Sequence, residues 1–343
     1  MSLQWRSALG FVLSVLLLVW TLHDVEWSSV VAHIRAADVG ILAASVIAAT
    51  MIFPLRARRW RTILSPIEAD LPFGPLWRST AIGMMINNVV PARAGEVARA
   101  YALSRELPRI PFSTAFASLA VDRVFDAFTI LLLTLAAMFD PVFPKNVTVV
   151  GQPVANWLVA AAAVAGAAVV LLYAIVFFPA PLVRVYEGFA RRVAPRFEAR
   201  GRDALLAFAA GLGVLRSPTR FAAVMGWTLA HWLLNAFAFW LGFKAFGIHV
   251  SFGAAVMLQG LIAIGVSVPS APGFFGIFEA MSKAGLAIYG IPAALAVSWA
   301  IGFHLLTFIP ITVIGIYYFA TLGLHMREIK TAPQTGVAGE SAG

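Results

Sequence analysis

Apolar runs, most of them close to the length of a bilayer crossing, alternate with short arginine-rich segments along almost the whole chain. A helical crossing needs about 20 predominantly apolar residues. The runs at 7–22, 39–55, 112–139, 156–178, 221–246 and 294–322 are the candidates. Two further apolar stretches, 73–90 and 252–290, are interrupted by proline, glycine and charge. Non-helical backbone at membrane depth is tolerated only against protein or water, so these stretches predict broken or re-entrant helical hairpins. The pattern predicts an all-α polytopic membrane protein with about six full transmembrane helices plus two broken hairpins.

Composition agrees. Hydrophobic residues make up 61% of the 343 positions and charged residues 12%, with a mean hydropathy of +0.87, against roughly 45–50% and about 25% in soluble domains. No polar stretch is long enough for a separate soluble domain, so residues 1–330 read as one membrane unit and 331–343 as a disordered cytoplasmic tail. The chain has no cysteine, which excludes disulfides and thiol catalysis. Arg6 ahead of the run 8–20 resembles a signal peptide, but no small-x-small cleavage site follows Leu22, and an uncleaved first helix is expected.

Net charge is +9, mostly from arginine. In a membrane protein this first sets loop topology and contact with anionic headgroups; nucleic acid is not an expected partner. Arg56, Arg58, Arg59 and Arg61 follow the second span, Arg99, Arg105 and Arg109 precede the third, and 181–220 holds eight arginines. All lie on one side if 73–109 enters from the cytoplasm and 252–290 from outside. Both termini are then cytoplasmic, in the cytoplasmic (inner) membrane. Within 181–220, Leu182, Val185, Phe189, Val193 and Phe197 alternate with Arg184, Arg191, Arg192, Arg196 and Arg200. That pattern suits an amphipathic helix on the inner headgroups, or a linker that sets topology. Pro195 and Gly201 limit any single long helix.

An internal repeat emerges at a constant offset of 181 residues, which aligns Pro91 with Pro272, Gly95 with Gly276, Ile110 with Ile291, Pro111 with Pro292 and Ala115 with Ala296. Each half reads as span, broken hairpin, span: 39–139 and 221–322. With 156–178 between them, the halves take opposite orientations. Inverted repeats with paired interrupted segments are a transporter signature and point to the transport site.

Three constellations carry candidate chemistry. An ionisable side chain at the bilayer centre costs about 2.5–3.5 kcal/mol on insertion scales, so it needs a partner or a task. The cassette from Asn87 to Arg99 holds Asn87, Asn88, Pro91, Arg93, Glu96 and Arg99. If 92–103 is helical, Arg93, Glu96 and Arg99 share one face. Glu96 then pairs with either arginine and leaves a guanidinium for a phosphate, whose geometry matches its fork. Asn88 is placed as a cap-like residue ahead of Pro91. An interfacial loop that pairs its own charges is the competing reading. Asp122, Arg123 and Asp126 lie on one stripe of the apolar run 112–139; Arg123 is expected to bridge the carboxylates or reach Glu96. Finally, the stretch 268–279 includes Pro272, Gly276 and Glu279, with Lys283 one turn beyond. A Glu279–Lys283 ion pair is the conservative expectation. His231 and His304 lie within spans and read as packed or hydrogen-bonded.

No GxxxxGK[ST] motif, HExxH motif or Gly-x-Ser-x-Gly elbow occurs. Nucleotide-driven pumping and metal or serine hydrolase chemistry are not expected, and no cofactor is implied. Asn146-Val147-Thr148 matches a glycosylation sequon, a pattern that is usually accidental.

The ordered set Pro91-Ala-Arg-Ala-Gly-Glu-Val-Ala-Arg99, Ile110-Pro111, Asp122-Arg123 with Asp126, and Pro272-Gly273 with Phe278-Glu279 resembles the lysylphosphatidylglycerol synthase transmembrane region family. It is similar to the flippase half of MprF proteins and their stand-alone UPF0104 relatives, over about residues 8–325. The resemblance places Arg93, Glu96, Arg99, Arg123, Asp126 and Glu279 on the family's charged positions. Asp122 stands where Glu is common, and His304 where Arg is frequent. The soluble aminoacyl-transferase domain of full-length synthases is not expected here, nor is lysyl transfer. The resemblance implies a transporter that moves a phospholipid, anionic or aminoacylated, between leaflets. The alternatives are a membrane-embedded lipid-modifying transferase, with Glu96 or Asp122 as base, or an accessory partner of such an enzyme.

Overall fold

The computed structural model describes residues 3–23, 25–90, 94–144, 148–149, 152–153, 178–193, 217–267 and 271–329, with isolated positions within 156–175 and 195–206. Its helices are α1 (Leu3–Leu22), α2 (Trp27–Ala36), α3 (Val39–Leu64), α4 (Phe73–Val89), α5 (Gly95–Glu106), α6 (Phe112–Ala137), α7 (Pro179–Val193), α8 (Pro218–Ala245), α9 (Phe252–Gly265), α10 (Ile277–Ala287) and α11 (Ala293–Thr321). A 3₁₀ turn, Pro272–Phe274, lies between α9 and α10. The departure from an all-helical reading is a two-residue antiparallel ladder, Thr148–Val149 with Gln152–Pro153.

Local chemistry sets the helix starts. Asp38, Ser217 and Ser251 each accept a backbone N–H of the first turn, from Ile41, Arg220 and Ala254, which satisfies donors that a helix start leaves orphaned. Pro111 and Pro292, aligned by the repeat, occupy the same position just ahead of α6 and α11.

Among the described residues three helices, α3, α8 and α11, are long and apolar enough to cross a membrane, or four spans if the bent pair α1–α2 counts as one. At 26, 28 and 29 residues they reach about 39–44 Å, beyond a hydrocarbon core of about 30 Å. Helix α6 is also 26 residues long, but every 18-residue window of it carries Asp122, Arg123 and Asp126. The expected span 156–178 falls largely outside the described residues, as do Pro91, Arg93, Asn146, Val268–Ser270 and the tail 330–343.

The element pattern recurs. Helices α8, α9, α10 and α11 start 179, 179, 182 and 181 residues after α3, α4, α5 and α6. The packing recurs too. Helices α3 and α8 run antiparallel: Asp38 N–H donates to Ala245 O (2.8 Å), Ser45 Oγ to Ala238 O (2.7 Å), and Arg59 reaches Thr228 (3.4 Å). Buried Ala48, Ala49, Ala57, Ala236 and Ala238 on these helices are the small residues that allow such close approach. Helix α4 packs antiparallel on α11, with Asn88 on Thr312, Trp77 on Tyr318 and Gly315 against Met85. Helix α9 packs the same way on α6, with Gly260 against Thr134 and Gly253 against Asp140. Each half thus lays its short hairpin on the last helix of the other.

The hairpin α4–α5 is closed by contact too tight for a side chain. A Cβ at Gly95 would overlap the Gly83 carbonyl and Asn87. Gly95→Val is therefore expected to lower stability by about 1–3 kcal/mol through overpacking, read as a lower melting temperature in detergent; an unchanged melt would contradict this packing.

The amphipathic expectation for 181–220 meets α7, which stops at Val193, ahead of Pro195. It exposes Val185, Phe189 and Val193 on one stripe beside exposed Arg184, Arg191 and Arg192. Phe197, Arg196 and Arg200 lie outside the described residues.

Candidate functional site

Helices α3, α5, α6 and α8 converge on a buried charge cluster. Asp122 and Asp126, one turn apart on α6, face inward at 0% and 6% exposure. Between them sits a residue sequence spacing did not select. Arg59, wholly buried, places Nη2 at 2.6 Å from Asp122 Oδ1 and Nη1 at 2.6 Å from Asp126 Oδ1. The run Arg56–Arg61 reads from sequence as a topology flank to a span ending at 55. Instead, α3 continues through Pro54 to Leu64 and carries Arg59 into the core. Asp126 also accepts from Trp232 Nε1 (3.0 Å), and His231 Nδ1 lies 3.8 Å away.

The cassette residues meet this core from α5. Glu96 accepts from Arg123 Nη2 (2.8 Å), and Arg123 Nη1 lies 3.4 Å from Asp126 Oδ2. Glu96 therefore pairs across to α6, and Arg123 bridges two carboxylates while Arg59 bridges the Asp122–Asp126 pair. Arg99 is 2% exposed, its guanidinium stacked 4.1 Å over the Trp60 ring and 3.4 Å from Asp122 Oδ2. Trp60 is fixed in turn by Ser118 (2.7 Å). Arg56 Nη2 approaches Asp122 Oδ2 at 3.9 Å. Among the described residues the cluster sets four guanidiniums against three carboxylates. Nε and Nη2 of both Arg56 and Arg99 are buried without a hydrogen-bond partner. Side-chain exposure rises from 0% at Arg59 through 11% at Arg56 to 43% at Arg123, so the cluster has a closed floor and an open edge.

Asn87 Oδ1 accepts the Gly95 N–H at 2.9 Å, at the start of α5. Asn88 donates to Thr312 Oγ1 (2.7 Å), tying the cassette to α11. Because Gly95 opens the helix eight residues after Asn87, the closed hairpin brings that earlier asparagine to it.

Glu279 is elsewhere, and it does not pair with Lys283. Its Oε1 lies 2.6 Å from His304 Nδ1 and its Oε2 accepts the Gly276 N–H at 2.6 Å. His304 Nε2 meets the Gly273 carbonyl at 2.9 Å. Lys283 donates to Thr21 O (3.1 Å) and lies over the Trp20 ring. Glu279 is 2% exposed and, as the third residue of α10, reaches back to the N–H of Gly276, the residue that caps that helix, so its side chain turns away from Lys283. Each carboxylate oxygen already holds one partner. An apolar recess lined by Leu133, Ala136, Phe139, Asp140, Gly253 and Val256 lies at the α6–α9 crossing, apart from both polar centres.

The profile of the "Lysylphosphatidylglycerol synthase TM region" matches residues 7–315. A UPF0104 membrane protein of Methanothermobacter thermautotrophicus is 21% identical over 341 residues, covering 95% of this chain and 98% of that protein. A second UPF0104 protein of the same organism is 27% identical over 327 residues, covering 90% and 91%. A protein named glycosyltransferase AglD, of Haloferax volcanii, is 37% identical over 121 residues, covering 35% of this chain and only 19% of that protein. The match to the profile runs through the cassette, the charged stripe of α6 and Glu279, so the chain belongs to the lysylphosphatidylglycerol synthase TM region family.

Proposed function

We propose that this protein is a transporter that moves an anionic phospholipid or related lipid between leaflets, receiving the headgroup phosphate at the arginine cluster. The observation that carries the reading is the surplus of buried guanidinium donors on Arg56 and Arg99 beside an edge open at Arg123 and Glu96. A charge-assisted fork of this kind suits a phosphate. Arg93, in the segment just ahead of α5, adds a further cation to the same cassette.

The architecture supports it. We read α3–α6 and α8–α11 as inverted repeats, six crossings in all, with α4–α5 and α9–α10 as hairpins entering from opposite faces. Helices α4, α5, α9 and α10 have 17, 12, 14 and 11 residues, each short of a full crossing. Both termini would lie in the cytoplasm, at the inner membrane, and the chain itself would perform no group transfer. A second reading, an accessory or membrane-embedded part of a lipid-modifying enzyme, rests on the partial match to a protein named glycosyltransferase.

Liposomes separate the two. Wild type should move labelled phospholipid, and Arg93→Ala and Glu96→Gln should each slow it by about tenfold or more, the worth of one charge-assisted bond. Conversion of the lipid to a new chemical species would favour the enzyme. Unchanged rates in both variants would overturn the site assignment.

A further inference from the structure

Glu279 and His304 hold a proton that the arginine cluster does not need. The Gly273 carbonyl can only accept, so His304 Nε2 must carry hydrogen. Across the ring, Nδ1 faces Glu279 Oε1 at 2.6 Å. A second proton must lie between them, on nitrogen as an imidazolium–carboxylate pair or on oxygen as a neutral acid and imidazole. Remove it and two lone pairs confront one another at a distance neither tolerates.

The pair also closes a turn. Gly273, Phe274 and Gly276 have φ of +65°, +63° and +86°, and left-handed backbone at a phenylalanine persists only when its surroundings hold it. The holding contacts are His304 on Gly273 O, Glu279 on Gly276 N–H, and Ser14 Oγ of α1 accepting from Ala271 N–H (2.8 Å). Phe275 and Phe278 flank the imidazole at 4.5 and 4.3 Å. Several charged groups on the packed elements have partners of their own. Lys283 of α10 goes to Thr21 O and His23, just past α1, to Trp20 O. Arg78 of α4 goes to Glu106, and His231 and Lys244 of α8 turn to Asp126 and the Trp240 ring. Helix α9 carries no ionisable residue.

We propose that the Glu279–His304 pair is a proton-binding site that latches the second hairpin, closed when the proton is bound and released when it leaves to water. The latch deepens the transporter reading, since a proton moving on and off a hairpin is a means of coupling, and it rests on that reading for its purpose alone. The chain lacks cysteine, so Ala271→Cys gives a unique thiol in the turn. In lipid nanodiscs, its maleimide labelling rate, normalised to a free thiol at each pH, should be slow at low pH. Above the pair's transition it should rise about tenfold per pH unit, as one released proton requires. Adding Glu279→Gln, whose amide donates to neutral Nδ1 without titrating, should leave labelling slow and flat. A flat profile with Glu279 in place, or a pH rise that survives Glu279→Gln, would overturn the latch. Lipid movement measured in parallel keeps the readings apart: pH-gated labelling without transport spares the latch, and transport with flat labelling spares the flippase.

Discussion

Arg59→Met is expected to be the most damaging substitution of a charged residue in this chain, lowering stability by about 3–5 kcal/mol. Arg59 is the wholly buried cation that lies within 2.6 Å of both Asp122 and Asp126. Removing it takes the two shortest ion pairs from carboxylates one turn apart in a site with little access to water, and the guanidiniums that remain lie at 3.4–3.9 Å. Breaking a buried pair from one side costs far more than the pair contributes when intact. Unfolding in detergent should show the loss as a large drop in midpoint. Adding Asp122→Asn and Asp126→Asn should not restore it, because Arg56, Arg99 and Arg123 then face Glu96 alone. That triple variant should remain inactive in transport, with the floor of the site dismantled. A loss below about 1 kcal/mol for Arg59→Met would contradict the burial of this cluster.

Arg99→Gln should behave in the opposite sense. Its single ionic contact is 3.4 Å long, and its Nε and Nη2 have no partner, so beyond its stack on Trp60 the folded state gains little from its charge. Neutralising it evens the cluster at three guanidiniums and three carboxylates, and melting should occur at the same or a higher temperature. Transport of an anionic phospholipid should fall by about 10–150-fold, since a hydrogen bond to a charged group contributes about 1.5–3 kcal/mol. Stability retained while function is lost is the pattern expected of a site that holds strain for its ligand. Equal damage to both would instead make Arg99 a structural residue.

The sequence carried the helix starts more clearly than the charge pairing. Pro111 and Pro292 sit just ahead of α6 and α11, and Gly95 and Gly276 at the starts of α5 and α10, because backbone demands leave particular residue types at particular places. Glu96, Arg123 and Asp126 were also legible, being charged where the surroundings are apolar. Arg59 was not: it stands 67 residues from Asp126, inside an arginine run whose plainest reading is a cytoplasmic flank. Only the length of α3 beyond Pro54 puts it in the core. His304 was passed over for Lys283 because local helical spacing favours i,i+4, whereas Glu279 folds onto a helix 25 residues away. Contacts that tertiary packing creates leave no periodic trace.

The most direct test is a structure determined in a bilayer rich in anionic phospholipid. The transporter reading predicts a headgroup phosphate at the open edge of the cluster, within about 2.7–2.9 Å of Arg99 or Arg56 nitrogens, and its absence in Arg99→Gln. Lipid confined to the outer apolar surface, with Nε and Nη2 of both arginines still without hydrogen bonds or turned onto protein carboxylates, would contradict it.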